Sequence, residues 1–177
     1  MKVRLYALII FLLFGTIGCY ATITGTVVDS ETGEPIEGAV VLVEWTKTKG
    51  LPGLTHSESY KVIEAVTDKN GKVTIDGVSN PTVNPPHVTV YKKGYVAWNN
   101  KYIFPTWEKR KDFEYKNGIT IQLQHFKKNY SHYDHASFIG SGAVSGGGGK
   151  LLYDAYSWER ILGRQELEKL KKGTEKR

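Results

Sequence analysis

Residues 23–45 read ITGTVVDSETGEPIEGAVVLVEW, and this stretch decides the fold. Residues 23–28 are rich in β-branched side chains with partial alternation, which predicts a strand. Residues 29–33 predict a turn, because an aspartate can accept hydrogen bonds from the backbone ahead of it and Gly33 can adopt a positive φ. Residues 39–45 are almost continuously apolar and predict a strand buried on both faces.

Short strand patterns separated by turns continue to residue 124. They are predicted at residues 60–67, 72–76, 87–91, 94–98 and 119–123. The polar, Gly- and Pro-containing residues 46–57 predict a long loop, and the sequence DKNG at residues 68–71 predicts a type I′ hairpin turn. Several short strands at this spacing predict an all-β sandwich or barrel.

Three segments of this region resemble one known family. They are GTVVDSETGEPIEGAVV (residues 25–41), TDKNGKVTI (67–75) and VTVYKKGY (88–95), and in order and spacing they resemble the signatures of carboxypeptidase regulatory-like domains. The resemblance implies an all-β fold over residues 22–124, a transthyretin-like (prealbumin-like) β-sandwich of about seven strands. Modules of this family are mostly non-catalytic and accompany peptidases, outer-membrane receptors and surface proteins. The resemblance therefore implies a folding aid or an interaction module.

The N-terminus has the pattern of a bacterial export signal. Lys2 and Arg4 precede an apolar run at residues 5–14, which is too short to cross a membrane comfortably. The sequence TIGC at residues 16–19 resembles a lipobox, which implies removal of residues 1–18 and lipidation of Cys19. The alternative is ordinary cleavage after Ala21, with a signal peptide of residues 1–21. The two alternatives predict an outer-membrane lipoprotein and a periplasmic or secreted protein, respectively.

Charge and cysteine content exclude several classes of protein. The formal net charge of +6 falls to +4 once Lys2 and Arg4 are removed with the signal. No stripe of Lys and Arg interleaved with aromatic residues is present, so no nucleic-acid partner is expected. A single Cys excludes an internal disulfide framework and a cysteine-based zinc site.

Residues 98–118 form an insertion relative to the simple family pattern, rich in aromatic and basic side chains. One interpretation is that its aromatic rings cover an open end of the sandwich. The other is a binding surface, since aromatic side chains stack on sugar faces and are enriched at interfaces. The candidates for such a surface are Trp98, Tyr102 and Trp107.

Residues 125–177 lie beyond the resemblance and predict a helical extension. A polar and aromatic segment comes first, and residues 140–149 predict a Gly-rich linker. Apolar residues then recur at helical spacing from Leu151 to about Lys172, which predicts an amphipathic helix docked on the sandwich or on a partner.

The tail also contains a candidate metal site. His132, Asp134 and His135 carry the imidazole and carboxylate groups that bind zinc and activate water. They resemble the end of the HxHxDH signature of metallo-β-lactamase-like hydrolases, although Tyr130 occupies its first His position. The alternative is a polar loop whose histidines bond to backbone or solvent. The sequence lacks the HExxH and Walker patterns.

The sequence therefore predicts a non-enzymatic, exported envelope (lipo)protein without a resident cofactor. Its sandwich would bind or scaffold an envelope protein or a surface polymer, and lipidated Cys19 would hold it on the membrane. Two alternatives remain. One is a small zinc-binding protein or metal-dependent hydrolase that uses His132, Asp134 and His135, and the other is a carbohydrate-binding module that uses exposed aromatic residues.

Overall fold

The computed structural model of the protein describes residues 22–142 and 149–174. The predicted signal peptide, Cys19 and most of the predicted linker lie outside these residues. The elements among them are β1 (Ile23–Asp29), β2 (Val40–Leu51), β3 (Leu54–Val66), β4 (Lys72–Ile75), β5 (His87–Tyr91), β6 (Trp98–Asn99), β7 (Tyr102–Ile103), β8 (Glu108–Lys109), β9 (Ile119–Leu123), α1 (His132–Ser141) and α2 (Lys150–Thr174).

The strands form two main sheets and a short ribbon. One sheet has the order β4-β1-β9, in which β1 is antiparallel to β4 and parallel to β9. The other has the order β3-β2-β5-β6 and is antiparallel throughout. The ribbon pairs β7 with β8 inside the aromatic insertion. The prediction of a mainly β, sandwich-like domain followed by a C-terminal helix is confirmed.

Strand β2 is buried on both faces, as its apolar run predicts. Val41, Val43 and Trp45 face the core between the two sheets. Val40 and Leu42 point the other way, because successive side chains of a strand alternate, and they belong to a second core. The two faces of this sheet therefore contribute to two different hydrophobic cores.

The second core lies between the outer face of the β3-β2-β5-β6 sheet and the two helices. Tyr91 of β5 packs there with Phe138 and Ile139 of α1 and with Leu152 and Tyr156 of α2. The predicted C-terminal helix thus docks on the sandwich. No helix among the described residues is long and apolar enough to cross a membrane.

Helix α1 is an element that the sequence analysis misses, because residues 125–135 were interpreted as a polar loop. The Ser131 side chain accepts a hydrogen bond from the backbone N–H of Asp134 at 3.2 Å and caps the helix. The buried side chains of Phe138 and Ile139, one turn further on, attach it to the sheet.

The prediction of a long loop over residues 46–57 is wrong. Strands β2 and β3 stay paired through it, from Thr46↔Ser59 to Leu51↔Leu54, and form a hairpin. Gly50 and Gly53 take positive φ values of 112° and 88° at its tip. Cross-strand pairing keeps this polar segment regular, although neither strand has an apolar face there.

The prediction of a hairpin at residues 68–71 is half right. A turn forms and Gly71 has a φ of 68°, but Asn70 does not have the positive φ that a type I′ turn requires, and the strands on the two sides of the turn join different sheets. The turn is attached to β1, because the backbone N–H of Val27 donates to the Gly71 carbonyl oxygen at 2.8 Å. A Cβ on Gly71 would lie 2.4 Å from the Val27 oxygen, so this close approach requires glycine.

The strand predicted at residues 94–98 is reduced to a single bridge. Tyr95 pairs with His125 alone, and regular pairing begins only at Trp98 in β6.

Candidate functional site

A buried polar cluster lies where the two helices meet the sheet. It consists of Tyr91 from β5, His135 from α1, and Trp158 and Glu159 from α2, and we call it the interface cluster. The side chains of His135 and Glu159 are 0% and 1% exposed. Tyr91 is the last residue of the fully buried strand β5, and Glu159 lies one turn from the buried Tyr156 on the inner face of α2.

Hydrogen bonds satisfy every member of the interface cluster. His135 Nδ1 lies 2.6 Å from one Glu159 oxygen, and the Tyr91 hydroxyl donates to the other at 2.7 Å. Trp158 Nε1 donates to the Tyr91 hydroxyl at 3.0 Å. The backbone N–H of Ala97 donates to His135 Nε2 at 2.8 Å, so Nε2 carries no proton and Nδ1 is the donor to Glu159.

Aromatic rings cover the interface cluster around His135. The ring centroids of Phe104 and Phe126 each lie 4.9 Å from that of His135. Burial, followed by the neighbouring Glu159 carboxylate, raises the pKa of Tyr91. A base oriented by a carboxylate can be catalytic, but His135 is fully buried and both of its ring nitrogens have protein partners. The arrangement instead ties one strand and two helices together.

Two further glutamates hold the helix N-termini in place. Glu166 of α2 accepts hydrogen bonds from the Ser131 hydroxyl and from the backbone N–H groups of His132 and Tyr133 at 3.0–3.2 Å. Burial acts to raise the pKa of Glu166, but these bonds outweigh it and lower the pKa. Glu64 of β3 accepts from the backbone N–H groups of Leu151 and Leu152 at 2.9 and 2.7 Å. Each helix is thus capped by a carboxylate from another element.

The three residues predicted to bind zinc do not converge. Asp134 is exposed, whereas both ring nitrogens of His135 already have partners in the interface cluster. His132 stacks on Phe126 with 4.8 Å between ring centroids, and its Nδ1 lies 3.7 Å from Glu159. Within residues 22–142 and 149–174, no group of three or more His, Cys, Asp or Glu side chains could hold a metal ion.

The remaining histidine of the tail belongs to a different cluster. His125 Nε2 lies 2.8 Å from Asp29, and the Tyr95 hydroxyl donates to the same carboxylate oxygen at 3.0 Å. The other oxygen accepts from the backbone N–H groups of Glu31 and Thr32, which lower the pKa of Asp29 to about 2. The predicted role of Asp29 in the turn is confirmed, and its second oxygen also attaches the end of β1 to the chain beyond β9.

The aromatic insertion divides into a packed part and an exposed part. Trp98 is half-buried against the sandwich core, with Phe113 on one side and the Arg110 guanidinium 4.7 Å from its ring centroid. Phe113 and Tyr115 line the end of the space between the sheets. Trp107, by contrast, is 42% exposed.

Trp107 has an unusual backbone conformation. Its φ of 59° lies in the left-handed region that bulky residues rarely adopt. The edge of its ring packs against Phe138 of α1 at 5.1 Å, and Tyr102 lies 6.2 Å away. Of the three aromatic residues predicted to form a binding surface, Trp107 is therefore presented to solvent, Tyr102 is half-buried beside it, and Trp98 is packed elsewhere.

A shallow groove of about 300 Å³ runs between α1 and α2. Tyr133, Ala136 and Leu167 supply its apolar lining, and Arg160 and Arg164 lie along it. Gly163 lies at the crossing of the helices, where an added Cβ would come within 2.6 Å of the Tyr133 Cα.

Tyr91 and Glu159 are members of the interface cluster that the sequence did not predict. The available signal was Glu159 itself, an acidic residue in line with Leu152 and Tyr156 on the apolar face of a predicted helix. A second signal was the Ser131-x-x-Asp134 pattern, which is close to a capping box.

The fold and its signatures agree with a family model. The carboxypeptidase regulatory-like domain model matches residues 22–114, more than half of the 177 residues. The chain therefore belongs to the carboxypeptidase regulatory-like domain family, as its sequence signatures predict. A comparison with curated proteins gives no match.

Solved structures share only a distant likeness with this chain. A streptococcal ancillary pilin is 13% identical at a TM-score of 0.34, covering 62% of this chain and 30% of that one. The shaft pilin SpaA of Lactobacillus rhamnosus GG is 16% identical at 0.34, covering 61% and 47%. The catechol 1,2 dioxygenase of Acinetobacter radioresistens is 17% identical at 0.35, covering 62% and 53%. This chain thus spans about half of these chains or less, and such scores say nothing about its activity.

Proposed function

We propose that this chain is an exported, non-catalytic envelope protein whose sandwich binds or scaffolds another envelope component. The observation that carries the proposal is the family match over residues 22–114, since modules of this family are mostly non-catalytic. The interface cluster supports it, because the most extensive side-chain network of the described residues is fully bonded and closed to substrates. We also assign the sandwich to the transthyretin-like arrangement, a reading supported by sheets of three and four strands.

The proposal includes anchoring at Cys19. The lipobox-like TIGC sequence supports it, whereas the start of β1 at Ile23 counts against it, because it leaves room for only a short tether. The test is the intact mass of the mature protein recovered from the membrane fraction. A chain that begins at Cys19 and carries acyl groups is expected. A chain that begins at Thr22 without lipid would contradict the anchor and leave a soluble exported domain.

Partner binding is tested by crosslinking in intact envelopes, followed by purification of the full chain under denaturing conditions. We expect a discrete envelope protein or surface polymer to copurify. Because Trp107 is the exposed aromatic side chain of the insertion, Trp107→Ala is expected to reduce the yield of crosslinked partner. The absence of any crosslinked partner would contradict the scaffolding role.

Carbohydrate binding is a second candidate, favoured by the exposed Trp107 ring and the Tyr102 ring beside it. The faces of sugar rings stack on exposed aromatic side chains of this kind. A glycan array probed with the full mature chain tests this candidate. Trp107→Ala should abolish binding, whereas the control Tyr60→Ala, which removes an equally exposed ring (44%) on the β2–β3 hairpin, should not.

The zinc alternative has the least support. A metal at His132, Asp134 and His135 would have to displace the bonds of His135 to Glu159 and to the Ala97 backbone. The zinc content of the purified protein tests whether a metal site is present. Stoichiometric zinc that is lost in His132→Ala would favour a metal site over the scaffold.

A further inference from the structure

The β2–β3 hairpin, residues 46–59, extends past the body of the sandwich. Strand β2 pairs with β5 only as far as Glu44↔His87, whereas its pairing with β3 continues to Leu51↔Leu54. From Thr46 onward the two strands therefore have only each other as sheet partners among the described residues. Most side chains of this segment are exposed.

The tip of the hairpin is apolar and lies above basic side chains. Leu51 and Leu54 are 73% and 79% exposed, and a Pro-Gly turn joins them. Lys47 and Lys49 lie on β2 further from the tip. Lys49 forms an ion pair with Glu58 across the hairpin. An apolar tip with basic groups behind it matches the layers of a lipid surface, in which anionic headgroups lie above the acyl chains.

The hairpin projects from the same end of the sandwich at which the N-terminus enters. Ile23, at the start of β1, pairs with Ile75, at the end of β4. The loop that follows Ile75 is bonded to the base of the hairpin, since the backbone N–H of Asn84 donates to the Thr46 carbonyl oxygen at 2.8 Å. The Asn84 side chain adds a second bond to the Thr46 hydroxyl at 3.0 Å.

A lipid on Cys19 would hold this end of the sandwich at the membrane. Cys19 precedes Thr22 by three residues, and three residues span at most about 10 Å when fully extended. An anchor on so short a tether brings the hairpin end, and not the opposite end with the turn at residues 30–34, against the leaflet.

We propose that the β2–β3 hairpin inserts Leu51 and Leu54 into the headgroup–acyl boundary of the leaflet that holds the Cys19 anchor, and so fixes the orientation of the sandwich. This inference rests on the anchoring proposed above. A lipid surface is favoured over a protein partner, because two leucines at a turn offer far less area than the roughly 1,200 Å² that a specific protein interface needs.

The test places a fluorescent label at the hairpin tip of the full-length protein. Leu54→Cys supplies the labelling site, since an acylated Cys19 has no free thiol. The labelled protein, isolated from membranes, is reconstituted into vesicles of phosphatidylethanolamine and phosphatidylglycerol. A water-soluble quencher and a nitroxide lipid then report the surroundings of residue 54. A label at the opposite end, in Thr32→Cys, is the matched control.

Insertion predicts that aqueous quenching at residue 54 is lower than at residue 32, on the order of five-fold, because groups about 5–10 Å below the headgroup surface are screened from water. Leu51→Asp should return the label at residue 54 to the control value. Equal aqueous quenching at the two positions on an acylated chain would overturn the inference and leave the anchor intact. If the hairpin tip inserts although the mass of the chain shows no acyl group, the proposed anchor is overturned instead. A chain that neither carries lipid nor floats with vesicles would overturn both.

Discussion

Glu159 is the residue through which the sandwich and both helices are joined. Its two oxygens bind His135 of α1 and Tyr91 of β5, and it lies on α2. A buried carboxylate is costly unless its hydrogen bonds are complete, and here both oxygens have partners. This single side chain therefore links the three elements directly, within the hydrophobic core that packs them together.

Replacing Glu159 with Gln is expected to destabilise the fold by about 2–3 kcal/mol, since hydrogen bonds to a charged group are the strong ones and the amide nitrogen of Gln cannot accept from either donor. Urea unfolding of the two proteins measures the change. The matched control is Glu168→Gln, on the exposed face of the same helix, for which a change within about 0.5 kcal/mol is expected. Equal effects of the two substitutions would contradict the role of Glu159.

Asp29 makes the stability of the folded protein depend on pH. The backbone N–H groups of Glu31 and Thr32 lower its pKa to about 2 in the folded protein, below the ordinary value of 3.8. A lowered pKa means that the folded state binds the proton less tightly than the unfolded state. The contribution of Asp29 is therefore complete above the ordinary pKa and is lost as the pH falls toward about 2.

Asp29→Asn should accordingly be less stable than the native chain near neutral pH, with a difference that shrinks as the pH falls from 5 to 2. Thermal unfolding across this range, at constant ionic strength, measures the difference. A gap between the two proteins that stays constant with pH would show that the charge of Asp29 contributes nothing.

At the level of the element, α1 and α2 depend on contacts with other parts of the chain. Their N-termini are capped by Glu166 and Glu64, which come from α2 and β3. Their crossing is close because residue 163 is glycine, with no side chain toward Tyr133. Both helices are therefore held by tertiary contacts more than by their own sequence propensity.

Two glycine substitutions should have opposite effects. Alanine is the better helix former by up to about 1 kcal/mol, and at Gly140 of α1 an added Cβ would meet only the Tyr156 hydroxyl, at 3.7 Å. Gly140→Ala is expected to leave stability unchanged or raised. Gly163→Ala would place its Cβ 2.6 Å from the Tyr133 backbone and force the helices apart, so a loss is expected. Chemical denaturation of both variants measures the contrast, and a gain at both positions would contradict the close crossing.

An element could be predicted from the sequence where neighbouring residues determine it, and not where it depends on residues far away in the chain. Strand β2 was predictable because its almost continuously apolar run at residues 39–45 requires burial on both faces. The β2–β3 hairpin was missed because polar Thr and Lys residues in alternation resemble a loop when no apolar face is present. Helix α1 was missed because its few apolar residues matter only against the sheet. The interface cluster joins residues 68 positions apart, as Tyr91 and Glu159 are, and no local pattern contains that contact.

At the scale of the whole molecule, the sandwich has an apolar outer face that the helices cover. Val40, Leu42 and Tyr91 on this face are almost fully buried, and side chains of α1 and α2 form much of their cover. A sandwich without the tail would expose a contiguous apolar surface, and such surfaces cause association. The helical tail is therefore part of the folding unit and not an appendage.

A chain ending at residue 131, which lacks both helices, is expected to aggregate or to bind a hydrophobic dye strongly. Size-exclusion chromatography and dye fluorescence measure this outcome. A chain ending at Thr174 retains both helices and serves as the control, which should behave like the complete protein. A monodisperse, dye-negative protein ending at residue 131 would contradict the dependence of the sheet on its helices.

The position of α2 has a consequence for the order in which the protein acquires its structure. Synthesis from the N-terminus delivers β2 and β5 long before the 25-residue helix that covers them. The parallel pairing of β1 with β9 also waits for residue 119. During that interval the outer apolar face has no cover, and export as proposed above would therefore favour a chaperone that holds the chain until α2 emerges and completes the fold.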